Sequence, residues 1–327
     1  MAKVVINGFG RIGRLFFRQV QDEPNLEVVA INDLGDLENL TYLLKYDTVY
    51  GTFKKGLGKV KVFQEKDPAK LPWKKLGVGI VVEATGAFDS FQKAGVHLKA
   101  GAKRVVITAP AKDEDGKDGR TVLSGVNEKD IDSHSITSNG SCTTNAASPV
   151  IQVLSENPGI LKAVLNTAHG YTATQNLVDG PSKGKDVRRG RAAAQNIIPS
   201  TTGAAVAVTR AIPQLQGKFD GIALRVPVAA GSIADITFLS KKKTSVKEIN
   251  SILSKAADSS RWKGILNVTQ DPIVSSDILK EPYGAIVDLS FTKVVDGDLV
   301  KVLSWYDNEW GYVTTLVRHV KAVAKVL

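Results

Sequence analysis

Residues 3–14 have the sequence KVVINGFGRIGR, in which a short β-branched run leads through a glycine-rich turn into an amphipathic stretch. The spacing is typical of a dinucleotide-binding turn: Gly8 makes the tight turn, Gly10 lets backbone approach a pyrophosphate, and Gly13 allows close helix–strand packing. The anion would lie at the N-terminus of the helix, where backbone N–H groups point outward. This stretch therefore predicts a βα unit that binds a dinucleotide.

An acidic residue follows the second predicted strand. Residues 26–32 form an apolar run that ends at Asp33, twenty residues after Gly13. An acid at this separation hydrogen-bonds the adenosine ribose in dinucleotide-binding folds. Because a carboxylate there would repel a 2′-phosphate, Asp33 favours NAD over NADP as the cofactor.

The two halves of the chain differ in their pattern. Up to about residue 108, short β-branched runs alternate with helical periods, which is typical of parallel βαβ units. Beyond about residue 150, longer amphipathic strands follow one another directly, which favours antiparallel pairing. The sequence therefore predicts an α/β protein with a Rossmann-type doubly wound parallel sheet plus an α+β catalytic domain with a mostly antiparallel sheet. We expect an NAD-binding domain at residues 1–141, completed by a C-terminal helix at 311–327, and a second domain at 142–310.

Composition narrows the class of protein further. The 327 residues include one cysteine, so an intramolecular disulfide scaffold is excluded and a reduced, cytoplasmic setting is expected. A hydrophobic content of 43% is too high for a disordered chain, and the long charge-free stretches carry too many polar residues for a membrane span. The net charge of +10 permits nucleic acid, an anionic surface or a phosphorylated substrate as partner, and selects none of them.

The single cysteine lies in a polar segment, SNGSCTTN, at residues 138–145. A strand is predicted to end here and a helix to begin, which places Cys142 in the first helical turn. That position stabilises a thiolate and is expected to lower the thiol pKa, so Cys142 is a candidate nucleophile. The alternative is a small buried cysteine without chemistry, which is the more common role of a lone thiol. Pro149 is expected to kink the helix.

A histidine follows the strand predicted at residues 162–167. His169 could accept the thiol proton and later remove a proton from a thiohemiacetal hydroxyl. A lone histidine is more often structural, and His97, His134 and His319 are interpreted in that way.

The order of motifs along the chain supports the chemical interpretation. The segments are INGFGRIGR, AIND, EATG, TAPAKDEDG, SCTTN, HGYTATQ, GRAAAQNIIPSTTGAA, LRVP and WYDNEWGY. In this order and spacing the chain resembles the phosphorylating glyceraldehyde-3-phosphate dehydrogenase family over essentially its whole length. The resemblance implies that Cys142 attacks the aldehyde of D-glyceraldehyde 3-phosphate, that His169 acts as the base, and that NAD accepts the hydride. Inorganic phosphate would then open the Cys142 thioester to give 1,3-bisphosphoglycerate.

The resemblance also assigns binding roles position by position. Matching positions for the substrate phosphate and the attacking phosphate are Thr172, Thr174, Arg225, Ser141, Thr143, Thr202 and Gly203. Matching positions for the cofactor, beside the three glycines and Asp33, are Arg11, Ile12, Lys66, Thr85, Phe88, Thr108 and Asn308. The loop at residues 179–191 implies a homotetramer. No metal and no membrane partner are expected.

Some features depart from the family pattern or leave alternatives open. Gly170 stands where the family usually has serine or alanine, which is expected to loosen the backbone beside His169. Erythrose-4-phosphate dehydrogenase, and more distantly a semialdehyde dehydrogenase, share the same design. The basic loop at residues 183–191 also permits a secondary role in binding nucleic acid or another anionic polymer, although nucleic acid is not expected as the primary partner.

Overall fold

In the part of the chain that the structure describes there are two seven-stranded sheets, and each belongs to its own structural unit. The computed structural model describes residues 1–182, 184 and 186–327. The first unit comprises Met1–Ser141 and Val313–Leu327, and the second unit comprises Cys142–Tyr312.

The first unit is built on a parallel sheet with strand order β3-β2-β1-β4-β5-β7-β6. Its strands are β1 (Ala2–Asn7), β2 (Leu26–Asn32), β3 (Lys61–Phe63), β4 (Ile80–Glu83), β5 (Arg104–Ile107), β6 (Arg120–Thr121) and β7 (Ile136–Ser138). Its helices are α1 (Arg11–Val20), α2 (Leu37–Lys45), α3 (Trp73–Leu76), α4 (Phe91–Ala94) and α5 (Val96–Lys99). The expected doubly wound parallel sheet is confirmed.

Burial explains why the central strands read as continuous apolar runs. In β1, Val4, Val5 and Ile6 are fully buried, as strands covered on both faces must be. A core cluster joins Val5 to the side chains of Trp73 and Phe91. The helical period of residues 91–100 predicts one helix closed by Gly101, and this is wrong: the residues form two short helices, because Gly95 lies between α4 and α5 and glycine is a weak helix former.

The second unit is built on a mixed, mostly antiparallel sheet with strand order β12-β13-β14-β11-β8-β10-β9. Its strands are β8 (Ile160–Gly170), β9 (Ile198–Thr201), β10 (Phe219–Val226), β11 (Ser232–Ser240), β12 (Leu266–Thr269), β13 (Ala285–Val295) and β14 (Leu299–Tyr306). The helices of this unit are α6 (Cys142–Glu156), α7 (Ala204–Ala211) and α8 (Val246–Ala257); the last helix of the chain, α9 (Trp310–Ala324), belongs from Val313 onward to the first unit. Only β8 with β10 and β12 with β13 pair in parallel, so the predicted mostly antiparallel sheet is confirmed.

Alternation along β8 shows that the two faces of this sheet differ. Ala163, Leu165, Thr167 and His169 are buried, on the face against which α6 and α7 pack. The residues between them point to the opposite face, where Val164 is 61% exposed. The period of two therefore places His169 on the face covered by helices.

Candidate active site

The thiol of Cys142 lies at the first residue of α6, four residues after the end of β7. Its side chain is half-buried, and its Sγ lies 3.3 Å from His169 Nε2. Thr143 follows in the first turn, and its Oγ1 lies 2.9 Å from the Tyr306 hydroxyl. The helix continues through Pro149 to Glu156. The structure thus brings together the two side chains that the sequence selects as nucleophile and base.

The imidazole of His169 is held from its other side by backbone. Nδ1 lies 2.6 Å from the Gly170 carbonyl oxygen, and in the tautomer whose Nδ1–H donates to that oxygen the Nε2 lone pair faces the thiol. Burial and the nearby Arg225 charge lower the pKa of His169 to about 3. At neutral pH the ring is therefore uncharged and can accept a proton from Cys142.

Arg225 supplies the positive charge beside this pair. In the β8–β10 register it lies opposite His169, and its Nη1 lies 2.7 Å from His169 Nδ1 and 3.3 Å from the Gly170 oxygen. The pKa of Arg225 itself is lowered by burial and, to a smaller degree, by the charge of Arg189. The guanidinium groups of Arg225 and Arg189 are therefore close enough to affect each other, and two such cations favour the binding of an anion.

The predicted effect of the helix start on the thiol is wrong. Burial raises the pKa of Cys142 above its ordinary value, while the Arg225 charge and hydrogen bonds from Thr143 oppose the rise. Desolvation of a charged sulfur outweighs the favourable helix terminus because the sulfur packs among buried groups. The resting pair is therefore a thiol and a neutral imidazole.

The candidate anion-binding hydroxyls fall into separate groups. Thr172 Oγ1 and Thr174 Oγ1 lie 2.9 Å apart, and Arg189 Nη1 donates to Thr174 at 3.3 Å. At the start of α7, Thr202 Oγ1 accepts from the backbone N–H of Ala204 at 3.2 Å, and Gly203 is the N-cap residue. Ser141 directly precedes Cys142 in the chain.

Arg189 and Tyr306 have contacts that the sequence did not assign. Arg189 also donates to Ser200 Oγ at 2.9 Å, which fixes it beside the threonine pair. The Tyr306 hydroxyl lies 2.7 Å from Thr167 Oγ1, and its ring packs edge-on against His169 at 6.0 Å. Burial raises the pKa of Tyr306 above its ordinary value, so it stays a neutral hydrogen-bonding group. In the sequence, Arg189 is part of a basic loop and Tyr306 is part of the WYDNEWGY motif, but neither pattern predicts which residues these two side chains contact.

Asn308 is buried, two residues after the end of β14. Its Oδ1 accepts from the backbone N–H of Gly231 at 3.0 Å and from Ser232 Oγ at 2.9 Å. These two bonds fix the amide plane and leave the Nδ2 hydrogens for a different acceptor.

In the first unit the candidate cofactor residues follow the carboxyl ends of parallel strands. Gly8 follows β1, Asp33 follows β2, and Thr108 follows β5. The carboxyl edge of such a sheet is where dinucleotides bind. Gly8 has a φ of +97°, and a Cβ there would lie 2.6 Å from the Ala84 backbone, so the turn requires glycine.

The glycine-rich turn at residues 8–13 leaves room for a pyrophosphate at the N-terminus of α1. A Cβ built on Gly10 would meet no atom within 4 Å, so space is open at the N-terminus of α1. The Asp33 carboxylate accepts from Phe9 N at 2.6 Å and from Gly35 N at 2.8 Å, which holds it beside the turn. The residues therefore fit a dinucleotide.

The remaining candidate cofactor residues have varied surroundings. Arg11 pairs with Asp47 at 2.5 Å, and Ile12 is half-buried in the first turn of α1. The backbone N–H of Thr85 donates to Glu83 at 2.8 Å, and Thr108 Oγ1 donates to the Glu83 carbonyl at 3.0 Å. The Phe88 ring packs edge-on against His97 at 5.8 Å, and Lys66 is exposed.

The basic loop shows mainly internal pairing where it is described. Arg188 pairs with Asp186 and Arg191 pairs with Asp179, both at 2.8 Å. Lys183 and Lys185, which belong to the same predicted polymer-binding surface, lie outside the described residues. A polymer-binding role of this loop therefore stays a prediction.

Metal clusters and membrane spans are the other classes of site to consider in the described ranges. No group of three or more histidine, cysteine, aspartate or glutamate side chains in those ranges could hold a metal ion. Within the same ranges, every helix is too short or too polar to cross a membrane.

A dinucleotide-binding fold together with a contact between a thiol and an imidazole defines a class of protein, the NAD-dependent oxidoreductases that act through a cysteine. Residues 2–91 match the family model for the glyceraldehyde 3-phosphate dehydrogenase NAD binding domain, and residues 141–308 match that for the C-terminal domain. The chain belongs to the glyceraldehyde 3-phosphate dehydrogenase family. The predicted NAD cofactor and the family resemblance are thereby confirmed.

Curated relatives align over the full chain. The glyceraldehyde-3-phosphate dehydrogenase of Clostridium acetobutylicum is 48% identical, covering 100% of this chain and 99% of the relative. The enzyme of the same name from Streptomyces coelicolor is 48% identical over 96% of both chains. That from Mycobacterium avium is 48% identical over 99% of both chains.

Proposed function

We propose that this chain catalyses the phosphorylating oxidation of D-glyceraldehyde 3-phosphate to 1,3-bisphosphoglycerate in glycolysis. The observation that carries the proposal is the 3.3 Å contact between Cys142 Sγ and His169 Nε2, with Arg225 on the far side of the imidazole. A nucleophile, a base and a cation in this order suit attack on the aldehyde of an anionic substrate.

The first step forms a carbon–sulfur bond. Cys142 Sγ attacks the aldehyde carbon as its proton passes to His169 Nε2, and the protonated imidazole then stabilises the new oxyanion and returns the proton to give a thiohemiacetal. His169 has a low pKa, so it holds this proton only briefly. The Nδ1 contact with the Gly170 carbonyl keeps the ring in the orientation that both transfers require.

The second step oxidises the thiohemiacetal. His169 removes the hydroxyl proton while the C–H electron pair leaves with its hydrogen, and the carbon remains bound to Cys142 as a thioester. NAD, when bound, accepts that hydride. Residues proposed to hold it are Gly8, Gly10, Arg11, Ile12, Gly13, Asp33, Lys66, Thr85, Phe88, Thr108 and Asn308.

The third step uses inorganic phosphate as the acyl acceptor. A phosphate oxygen attacks the thioester carbon, the carbon–sulfur bond breaks, and Cys142 leaves as a thiolate that takes the proton which His169 acquired in the second step. Arg225, Thr172 and Thr174 are proposed to hold the substrate phosphate, and the contact of Arg189 with Thr174 adds a second cation to that group. The attacking phosphate is assigned to Ser141, Thr143, Thr202 and Gly203.

NAD reduction with defined aldehydes tests this reaction. The purified chain is mixed with NAD and either glyceraldehyde 3-phosphate or erythrose 4-phosphate, with and without inorganic phosphate. We expect faster turnover with the three-carbon substrate and a strict need for phosphate. Phosphate-independent turnover, or a preference for erythrose 4-phosphate, would assign the chain to the sister activity.

Replacing the nucleophile tests the role of Cys142. Cys142→Ser is expected to lower kcat by at least about a thousandfold, because an alcohol is a far weaker nucleophile than a thiol at neutral pH. NAD affinity, measured by calorimetry, should stay within about twofold, since a folded variant keeps its cofactor contacts. Full activity in this variant would refute the assignment.

We also infer a cytoplasmic homotetramer. A free Cys142 thiol is required by the mechanism, and a reducing compartment maintains it. The open face of the second sheet presents apolar side chains, with Val164 61% and Ile222 53% exposed, and Leu177 is 81% exposed in the loop that follows β8. Apolar groups concentrated in this way favour association with further copies of the chain.

A further inference from the structure

The buried hydroxyl of Ser232 contacts Asn308 on one side and the backbone of Gly170 on the other. Ser232 is the first residue of β11, is 2% exposed, and lies between β14 and β8 in the sheet. Its Oγ lies 3.1 Å from the Gly170 backbone nitrogen and 2.9 Å from Asn308 Oδ1. Neither contact follows from the strand pairing itself.

The direction of both hydrogen bonds is fixed by chemistry. The Gly170 N–H can only donate, so Ser232 Oγ accepts from it and turns its own hydrogen towards Asn308 Oδ1. Asn308 Oδ1 also accepts from Gly231 N at 3.0 Å, so both of its lone pairs are occupied. The Asn308 amide therefore has one orientation, with Nδ2 directed away from β11.

The other contact reaches the base. Gly170 follows His169 directly, and its carbonyl oxygen lies 2.6 Å from His169 Nδ1. By holding the Gly170 N–H, the Ser232 hydroxyl fixes the residue whose carbonyl orients the imidazole.

We propose that Ser232 is a positioning residue for the nicotinamide end of the NAD site, holding the Asn308 amide and the Gly170 backbone in one fixed arrangement. The inference rests on the proposed contact between Asn308 and the nicotinamide carboxamide. It assigns Ser232 no direct part in bond making.

Binding without turnover tests the contact with Asn308. Calorimetry compares NAD with ADP-ribose, which lacks nicotinamide, on the parent chain and on Ser232→Ala. Loss of the hydrogen bond from Ser232 to Asn308 is expected to raise the Kd of NAD by about threefold to tenfold and to leave the Kd of ADP-ribose within about twofold. The matched control is Ser240→Ala, which removes a buried hydroxyl at the opposite end of β11 that donates to the Lys242 carbonyl.

Alkylation of the only thiol tests the contact with Gly170. In the chain without NAD, Ser232→Ala is expected to slow the reaction of Cys142 with iodoacetamide by about threefold or more, because a less fixed His169 takes up the thiol proton less well. Ser232→Thr keeps the hydroxyl and should behave as the parent in both assays. A Ser232→Thr chain that folds yet loses nicotinamide discrimination would contradict the proposal.

The controls separate this inference from the proposed function. A parent chain without phosphate-dependent NAD reduction would refute the proposed function. An active parent whose Ser232→Ala variant matches Ser240→Ala in the ratio of NAD to ADP-ribose affinity, or in alkylation rate, would overturn only the role of Ser232.

Discussion

The charge on Arg225 has opposite consequences for the two reacting side chains. It stabilises the Cys142 thiolate and disfavours protonated His169, since it lowers the pKa of both groups. In the proposed reaction the two effects assist different steps: the thiolate forms more readily, and the imidazole gives up its proton quickly after accepting it.

Arg225→Gln should move the pH dependence of Cys142 alkylation. Alkylation consumes the thiolate, so its rate rises with pH through the thiol pKa; removing a group that lowers this pKa moves the inflection to higher pH. For each pH unit by which the inflection rises, the alkylation rate at neutral pH falls about tenfold. The control is Arg188→Gln, at an exposed cation paired with Asp186. An inflection unchanged from that of the parent would show that Arg225 does not act on the thiol.

Asp33 sets a second residue-level expectation, for the choice of cofactor. Asp33→Ala should reduce the preference for NAD over NADP by about tenfold, because the change removes both a ribose acceptor and a charge that repels a 2′-phosphate. Asp36→Ala removes a nearby carboxylate that only caps α2, where it accepts from Asn39 N, and should leave the preference unchanged. Dissociation constants for both dinucleotides measure the effect; equal ratios in the two variants would contradict it.

At the scale of elements, the carboxyl end of β8 packs closely against the segment that follows β10, and Gly170 lies at the point of contact. The prediction that Gly170 loosens the backbone beside His169 stays a prediction, but the space around this residue is narrow. A Cβ at Gly170 would lie 2.9 Å from the Val228 carbonyl oxygen, and the Gly170 N–H is bonded to Ser232. A side chain here would force the neighbouring backbone to shift.

Gly170→Ala should therefore destabilise the second unit and impair the base. We expect a loss of about 1–3 kcal/mol in the free energy of unfolding, typical of forced overpacking, together with slower turnover. Gly116→Ala is the control, since a Cβ there meets no atom within 4 Å. Denaturant unfolding and kcat measure the effects, and equal stability of the two variants would show that β8 can yield at this point.

At the scale of the whole molecule, we expect the open sheet face to decide the assembly. Val164 and Ile222 lie on adjacent strands of that face, so lysines there would place charges in any interface that covers it. The double variant V164K/I222K should sediment as a smaller species than the parent, whereas Val246→Lys, on the helix side of the sheet, should not. A parent that sediments as a monomer would refute the homotetramer.

Local patterns made much of the fold and site predictable. The alternation of short apolar runs with helical periods predicted the parallel sheet, which is confirmed, and the glycine spacing with Asp33 predicted where NAD binds, because both patterns depend on neighbours in the chain. The helix boundary at Gly95 was missed since the apolar period continues across it. The prediction of a polymer-binding role for the basic loop stays a prediction, since Lys183 and Lys185 lie outside the described residues.

The sequence by itself determined the fold class, the cofactor and a candidate nucleophile and base, since each rests on residue types within a short stretch. Which groups surround the candidate nucleophile and base depends on the tertiary structure. Arg225 and Ser232 reach His169 and Gly170 only because β10 and β11 flank β8. The raised pKa of Cys142 likewise depends on burial among segments distant in the chain. Desolvation and charge act through space, so a lone cysteine at a helix start could be located from sequence but its protonation state could not.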